Sequence, residues 1–316
     1  MPFFKCDSMN DFPHDFALDD VVSGLKQKRQ EWRTEQNRLE EKGGRHLPSP
    51  EVIAEAMHSL SGALFPMRLG PEDLVQENED FYVGYTLGKA LNLLLTQVRL
   101  EFLQKVQGNG EALNNIRTQA VEVVRQFAAT LPEVRGLLDQ DVRAAYRGDP
   151  AATSVDEVLL SYPGVHAMVS HRIAHELYKL GVPIIARVIA ELSHSHTGID
   201  IHPGATIGPG CFIDHGTGVV IGETAIIGRN VRIYQAVTLG AKSFPSDEHG
   251  NLHKGNDRHP IVEDDVVIYA GATILGRVVI GKGSVIGGNV WLTHSVPSGS
   301  TISQADPCGN GNGILS

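Results

Sequence analysis

The chain has 316 residues, of which 41% are hydrophobic and 20% are charged, and its formal net charge is −10 at pH 7. A chain of this length buries one large core or two modest ones, its acidic charge argues against broad nucleic-acid binding, and no apolar run is long enough to span a membrane. Three cysteines (Cys6, Cys211 and Cys308) are too few and too scattered for a disulfide framework or a cysteine-based zinc site, so we expect a reducing cytoplasm.

Residues 1–47 are predicted to form a solvated helix or a mobile arm. Their start lacks a long apolar segment behind its charges, so we expect no signal peptide. Residues 19–43 are rich in Lys, Arg, Glu and Gln, a composition typical of an exposed helix face.

Residues 48–196 are predicted to form a helical domain. Ser49 is placed to cap a helix that opens at Pro50 and ends just before Pro66. Pro71 is predicted to open a longer helix with an apolar stripe.

Further helices are predicted in the second half of this domain. An apolar stripe over 113–131 predicts a helix that Pro132 ends, and a further helix is predicted over 131–146. The last helix is predicted to start at Pro183. Asp149 precedes a proline, which biases it to an extended or capping conformation, so a plain cap is one interpretation of it.

Four histidines lie near the end of the helical domain. His171 and His175 are four residues apart, which is a metal-ligand spacing, but no carboxylate pattern accompanies them and we favour structural roles. His194 and His196 are predicted to lie in a polar connector.

From residue 201 to 292 an aliphatic residue recurs every six positions, with one two-residue slip and one long gap. A helix repeats at 3.6 residues and a strand at 2, whereas a period of six is typical of a parallel β-helix, in which three hexapeptides close one triangular coil. The chain is therefore predicted to be α+β, with a β-helix over 197–297. The inward aliphatic positions are Ile201, Ile207, Ile213, Ile221, Ile227, Ile233, Leu239, Val262, Ile268, Ile274, Ile280, Ile286 and Leu292.

Two segments do not fit the coils. Residues 241–258 are polar and turn-rich, and because a coil cannot bury such a backbone we predict an extruded loop. Residues 298–316 are rich in Gly, Ser and Asn, which predicts a flexible tail.

Four short motifs resemble those of the serine O-acetyltransferases, which are left-handed β-helix acyltransferases. They are Asp-Ile-His-Pro at 200–203, Ile-Asp-His-Gly-Thr-Gly at 213–218, Val-Ile-Gly-Glu-Thr at 220–224 and Asp-Arg-His-Pro at 257–260. The resemblance covers residues 143–296. It implies a left-handed β-helix, acetyl transfer from acetyl-CoA to the L-serine hydroxyl in cysteine biosynthesis, and a helical domain that mediates oligomer contacts.

Acetyl transfer to an alcohol needs a base, because a serine hydroxyl does not ionise at neutral pH. Asp200 and His215 are fifteen residues apart, and since a coil takes about eighteen they fall on neighbouring coils. We predict His215 as the general base and Asp200 as the carboxylate that orients it, and the resemblance implies the same roles.

The two ends of a free amino acid need opposite charges. We assign its ammonium to Asp149 and Asp214, and its carboxylate to Arg258, whose fork-shaped guanidinium suits a carboxylate, with a second contact from His259. The role of Asp149 is implied by the resemblance.

The thioester needs an oxyanion donor and a groove. A backbone N–H at Gly240 or Ala241 is predicted to bind the oxyanion, although the resembling family has glycine at position 241. The resemblance places the pantetheine arm of acetyl-CoA on the backbone of Ala270 and Gly288. No bound metal is required.

Three alternatives remain open at this point. One is an acyltransferase for another hydroxyl acceptor, such as homoserine or a sugar. Another is a β-helix carbonic anhydrase, whose zinc would bind histidines such as His202, His215 and His259. The last is a scaffold without catalysis.

The resemblance also implies partners. These are a homotrimer or a dimer of trimers with sites shared between subunits, inhibition by L-cysteine, and docking of an isoleucine-ended tail into O-acetylserine sulfhydrylase. In this chain Ile314 is not terminal, which argues against that last complex.

Overall fold

The computed structural model describes residues 16–37, 47–104, 110–243 and 255–304, without the side chains of 110–114. Parts of the predicted loop and tail, 244–254 and 305–316, lie outside the described residues. No helix within the described ranges combines the length and apolarity needed to cross a membrane.

The chain divides into two units, Met1–Arg45 and His46–Ser316. The first contains helix α1 (Leu18–Glu35), which buries none of its residues. This agrees with the predicted solvated helix. The predicted boundary between helices and β-helix lies inside the second unit, at the end of its last helix.

The second unit begins with seven α-helices among the residues described. Ser49 caps the first of them, because its hydroxyl accepts a hydrogen bond from the Val52 N–H. They are α2 (Pro50–Leu64), α3 (Pro66–Leu69), α4 (Glu79–Gln104), α5 (Gly110–Gly148), α6 (Val155–Ser161), α7 (Pro163–Lys179) and α8 (Pro183–Thr197).

Three sequence predictions in the helical part are wrong. Pro71 does not open a helix, since α4 begins only at Glu79 after a 3-10 turn. Pro132 lies inside α5 and does not end it. Leu131 and Leu138 are buried on either side of it, so continuous packing of one face outweighs the lost hydrogen bond. The predicted connector with His194 and His196 is the last turn of α8.

Residues 200–302 form a triangular parallel β-helix. Each of the first four coils contributes one short strand to each of three sheets, the last coil contributes a strand to two of them, and each strand pairs with its equivalent in the neighbouring coil. The predicted aliphatic positions point inward and are buried. The strands are β1 (Asp200–Ile201), β2 (Thr206–Ile207), β3 (Phe212–Ile213), β4 (Val220–Ile221), β5 (Ile226–Ile227), β6 (Arg232–Ile233), β7 (Thr238–Gly240), β8 (Ile261–Val262), β9 (Val267–Ile268), β10 (Thr273–Leu275), β11 (Val279–Ile280), β12 (Val285–Ile286), β13 (Trp291–Leu292) and β14 (Thr301–Ile302).

We number the sheets in chain order. Sheet 1 stacks β1-β4-β7-β10-β13, sheet 2 stacks β2-β5-β8-β11, and sheet 3 stacks β3-β6-β9-β12-β14. The chain leaves the prism after β7, between sheets 1 and 2, and rejoins it at β8. The extruded loop between them remains a prediction.

The β-helix ends later than the sequence analysis predicts. Ile302 in β14 pairs with Ile286, which extends sheet 3 into the predicted tail. The boundary at 297 is wrong because Ile302, the next aliphatic residue in a strand, comes ten positions after Leu292, outside the six-residue period.

Left-handed backbone turns the chain from sheet 3 to sheet 1. Gly218, Ala236, Gly271 and Asn289 all have positive φ and stack at this corner. The first coil is two residues longer than the second, since Val220 pairs with Asp200 and with Thr238. The extra residues form a bulge at this corner, and His215 lies in it.

A buried ion pair fastens the helices to the first coil. Arg172 of α7 donates two hydrogen bonds to Asp141 of α5, at 2.6 and 2.9 Å. Arg172 also donates to the carbonyl oxygens of Ile207 and Gly208, and Asp141 accepts from the Cys211 N–H. The end of α5 is thereby fixed against the β-helix.

Candidate active site

The predicted site residues lie at two corners of the prism. The first, which we call the His215 corner, joins sheet 3 to sheet 1 and includes residues 214–218, 234–236, 269–271 and 287–289. The second, the Arg258 corner, joins sheet 1 to sheet 2 and includes residues 202–205, 222–225, 240–241 and 257–260.

His215 projects from the bulge at its corner. Its φ is +57°, an uncommon value for a residue other than glycine, and its side chain is 70% exposed. Strained backbone of this kind is often found at functional sites. The bulge holds the imidazole in the open, where a substrate can reach it.

One carboxylate lies next to His215, and a second begins the neighbouring sheet. Asp214 Oδ1 lies 3.9 Å from His215 Nε2. Asp200 begins sheet 1, and its N–H donates to the carbonyl oxygen of Val219, whose own N–H donates to Gly216 in the bulge. The described residues contain no hydrogen bond between Asp200 and His215, so the predicted orienting bond remains a prediction.

Asp149 reaches the same corner from the end of α5. Tyr162 donates its hydroxyl proton to Asp149 Oδ2 at 2.5 Å, and the Ala151 N–H donates to Oδ1 at 2.8 Å. The Tyr162 hydrogen bond is the main reason that the pKa of Asp149 is lowered, and nearby His215 and Arg232 act in the same direction. The hydrogen bond to Asp149 also raises the pKa of Tyr162 to about 12.

Asp149 is not a helix cap. Ser154 caps α6 instead, accepting from the Glu157 N–H at 3.0 Å. The carboxylate of Asp149 is therefore available as a fixed negative charge beside His215.

Arg258 is held by a partner that the sequence analysis did not assign. Its guanidinium donates to Glu223 Oε2 at 2.5 Å, and Tyr178 donates its hydroxyl proton to Oε1 at 2.9 Å. Burial alone would raise the pKa of Glu223, but the hydrogen bonds from Arg258 and Tyr178 outweigh it and the pKa is lowered. Glu223 belongs to the Val-Ile-Gly-Glu-Thr motif. The sequence analysis identified this motif but assigned Glu223 no role.

His259 is fixed by the same motif. The Thr224 N–H donates to His259 Nδ1 at 3.1 Å, so the neutral ring carries its proton on Nε2. Burial, followed by the charge of Arg258, lowers the pKa of His259 to about 4. At neutral pH this ring is therefore a hydrogen-bond donor through Nε2.

Thr224 and Gly222 set the position of Arg258 and His259. The Thr224 hydroxyl oxygen accepts the N–H of Arg258 at 3.0 Å and that of His259 at 3.2 Å. Gly222 leaves room for the imidazole, because a Cβ there would lie 2.0 Å from the ring. The sequence analysis missed both contacts, which depend on residues about 35 positions apart.

The loop leaves and rejoins the prism at the Arg258 corner. Arg277 donates to the carbonyl oxygens of Thr224 and His259 and pairs with Asp257 at 3.3 Å. On the leaving side, the Gly240 carbonyl accepts from Gly276, and the N–H of Ala241 makes no hydrogen bond to any described residue. That N–H is available as an oxyanion donor.

The remaining predicted contacts lie farther along the His215 corner. Ala270 and Gly288 end the third and fourth coils, and Ala270 is half-buried whereas Gly288 is exposed. They stack above the bulge with a spacing of ~4.8 Å per coil. A linear ligand that starts at His215 and runs along this corner meets both.

The three histidines considered as zinc ligands do not lie close together within one chain. His202 and His259 lie at the Arg258 corner, and His215 lies at the other. Among the described residues no three metal-binding side chains cluster. His175 donates from Nδ1 to the carbonyl oxygen of Pro203 at 2.8 Å, and His171 is buried beside it.

Comparison with known proteins identifies the family. A serine acetyltransferase from Synechococcus elongatus, described as a plasmid protein, is 55% identical over 262 residues, which are 82% of this chain and 82% of the relative. This chain belongs to the serine acetyltransferase family. The resemblance carried by the four motifs is confirmed.

Solved serine acetyltransferases share the fold. Serine acetyltransferase 1 of Entamoeba histolytica, solved in complex with L-cysteine, aligns with a TM-score of 0.69 and 38% identity over 79% of this chain and 86% of that chain. A serine acetyltransferase solved with CoA aligns with a TM-score of 0.50 and 28% identity over 79% and 95% of the two chains.

The hexapeptide repeat is matched independently. The family profile "Bacterial transferase hexapeptide (six repeats)" matches residues 259–294. The predicted fold class, α+β with helices followed by a left-handed β-helix of hexapeptide repeats, is confirmed.

Proposed function

We infer that this chain transfers the acetyl group of acetyl-CoA to the hydroxyl of L-serine, giving O-acetylserine and CoA in cysteine biosynthesis. The observation that carries this is the serine acetyltransferase relative, 55% identical over 82% of the chain. No described feature favours the zinc or scaffold alternatives over it.

His215 removes the proton from the serine hydroxyl as its oxygen attacks the thioester carbon. The new C–O bond pushes the carbonyl electrons onto oxygen, where a backbone N–H of Gly240 or Ala241 stabilises the oxyanion. When the carbonyl reforms, the C–S bond breaks and CoA leaves as a thiolate, which takes the proton from His215. Asp200 orients the imidazole and stabilises its charged form.

The two ends of serine are bound by opposite charges. Asp149 and Asp214 at the His215 corner bind the ammonium group. Arg258 binds the carboxylate through its guanidinium, and the Nε2–H of His259 donates a further hydrogen bond.

One chain does not hold all these groups around one serine. One side of the prism is six residues wide, at most about 20 Å at 3.3 Å per residue, and it separates the two corners. Serine is much shorter than this. A second copy therefore brings its Arg258 corner to the His215 corner of the first, and closing this arrangement gives a homotrimer. The helical domain is the region that would pair two trimers.

Acetyl-CoA lies along the His215 corner, with its pantetheine arm on the backbone of Ala270 and Gly288. The CoA complex of a family member supports this co-substrate. The steps above use only side chains and backbone of the protein, and they need no metal.

Two further proposals concern regulation and location. L-Cysteine, the ligand of the Entamoeba relative, competes for the serine site because it has the same two charged ends. The cytoplasmic location is inferred from cysteine usage.

The test is thiol release from acetyl-CoA with L-serine, L-homoserine and a sugar as acceptors, with and without L-cysteine. We expect L-serine to be preferred and His215→Ala to lower the rate by roughly 10²- to 10⁴-fold. Asp200→Asn should lower kcat, whereas Asp214→Asn should raise the KM for serine. An unchanged rate in His215→Ala would contradict the assignment, and CO₂ hydration by zinc-loaded protein would favour the carbonic anhydrase.

A further inference from the structure

Sheet 1 carries one continuous row of outward side chains from the catalytic end of the prism to its far end. In stacking order the row is Asp200, Val220, Thr238, Thr273 and Trp291. Trp291 is 70% exposed, more than any other large hydrophobic side chain described in the β-helix. The indole therefore stands at the end of a track of small β-branched side chains.

The length of this row matches an extended cofactor arm. Four strand spacings of ~4.8 Å separate Asp200 from Trp291, about 19 Å in all. The arm of acetyl-CoA measures about 15 Å from sulfur to pyrophosphate by standard bond lengths. The proposed function places the thioester at His215 and the arm at Ala270 and Gly288, and this step rests on it. The nucleotide then lies at the last coil, beside Trp291.

The far end of the prism lacks the usual partners of phosphate. After Lys282 the sequence contains neither lysine nor arginine. Phosphate groups in proteins are bound mainly by these two side chains. The last coil therefore offers the nucleotide no ion pair of its own, and an exposed indole binds a purine face by stacking.

We propose that Trp291 is a stacking platform for the adenine of acetyl-CoA, and that this chain reads the nucleotide through its base and not through its phosphates. The base stacks on the indole at the end of sheet 1. The pyrophosphate and the 3′-phosphate stay in solvent beside the last coil.

The first experiment compares two thioesters in the full-length protein. Trp291→Ala should lower kcat/KM for acetyl-CoA by roughly 5- to 100-fold, the usual loss when an aromatic stacking partner is removed. The KM for serine should not change, and S-acetylpantetheine, which has no adenine, should not show the loss. Trp291→Phe should recover most of the activity. Ile226→Ala, on the outer face of sheet 2 and 40% exposed, is the matched control.

The outcomes separate this proposal from the proposed function. If the wild type acetylates serine with neither thioester, the proposed function fails. If the wild type is active and Trp291→Ala loses the same factor with both thioesters, the platform is wrong. A change in native mass of Trp291→Ala would show that the indole is a subunit contact instead.

Two further measurements test the base and the phosphates directly. The chain has two tryptophans, so Trp32→Phe leaves Trp291 as the only indole. CoA should quench its fluorescence and pantetheine should not; equal quenching by both would overturn the stacking. Acetyl-3′-dephospho-CoA should match acetyl-CoA within about threefold, because no charge-assisted bond is lost, and a tenfold loss would show that the phosphate is bound.

Discussion

Asp149 and His259 owe their charge states to different neighbours. Asp149 is kept ionised chiefly by the Tyr162 hydroxyl, and His259 is kept neutral chiefly by burial. The first provides a fixed negative charge for an ammonium group, and the second provides a neutral donor for a carboxylate. Under the proposed function, the two ends of serine meet these two groups, neither of which titrates near neutral pH.

Replacing Tyr162 with Phe removes the donor that lowers the pKa of Asp149. We expect the KM for serine to rise roughly three- to tenfold, less than a fully buried charged hydrogen bond would contribute because Asp149 is only half-buried. As pH falls, the KM should begin to rise at a higher pH than in the wild type. Steady-state kinetics across pH 4–8 measures this. Tyr146→Phe, at an exposed position on α5, is the control, and a lower kcat with unchanged KM would contradict the role.

His259 should titrate at about pH 4. Since the folded protein binds this proton less readily than the unfolded chain, this group favours folding above pH 6.5 and its contribution is lost as pH falls toward 4. NMR of ring-labelled histidine, assigned with His259→Gln, follows the resonance. A midpoint near the ordinary histidine value would mean that the ring is charged in the working range.

At the scale of elements, the hexapeptide period predicted every inward position from Ile201 to Leu292, because each coil repeats the same burial. The helix patterns did not predict where α4 begins or that α5 continues through Pro132. A proline signals a helix boundary locally, and at Pro132 tertiary packing on both sides overrides it. The two-residue slip was visible in the sequence, but its meaning as the bulge that presents His215 required the strand register.

The candidate site residues that lie in recognisable sequence motifs were predicted from the sequence. Asp149, Asp214, His215, Arg258 and His259 are each found at one of the two corners. Tyr162 and Tyr178 were missed, because their hydrogen bonds join helices to carboxylates 13 and 45 positions away. A single sequence contains no local pattern for such pairs.

The pair of Asp141 and Arg172 is the element-scale contact that can be tested. Asp141→Asn leaves the guanidinium of Arg172 buried without a charged partner, and we expect it to lower the free energy of unfolding by about 3–5 kcal/mol. Denaturant titration measures the loss. The double variant Asp141→Leu with Arg172→Met should recover much of it, and a single variant as stable as the wild type would show that the pair is not a clamp.

At the scale of the whole molecule, the separation of the two corners is the feature with the largest consequence. In a β-helix, residues that stack along one corner lie close together, whereas residues at two different corners are separated by the width of a sheet. Under the proposed function, serine binding therefore depends on the arrangement of copies, which the positions of residues in one sequence do not reveal.

Mixed assemblies test this dependence. His215→Ala and Arg258→Ala should each be nearly inactive alone, and when the two are unfolded together and refolded at equal amounts, activity should return. With random assembly about a quarter of the sites combine an intact His215 with an intact Arg258 from the neighbour. The same variants refolded separately and then mixed are the control. If co-refolded material is no more active than its parents, each site lies within a single chain.

The loop between β7 and β8 has an evolutionary consequence. Its departure and return leave the stacking intact, since Leu239 still pairs with Ile274 and Val262 with Ile280. Segments of different length and composition are therefore interchangeable at this one corner without disturbing the core. Because the returning end carries Arg258 and His259, exchanging the insert offers a route by which related enzymes acquire a different acceptor while the rest of the scaffold stays the same.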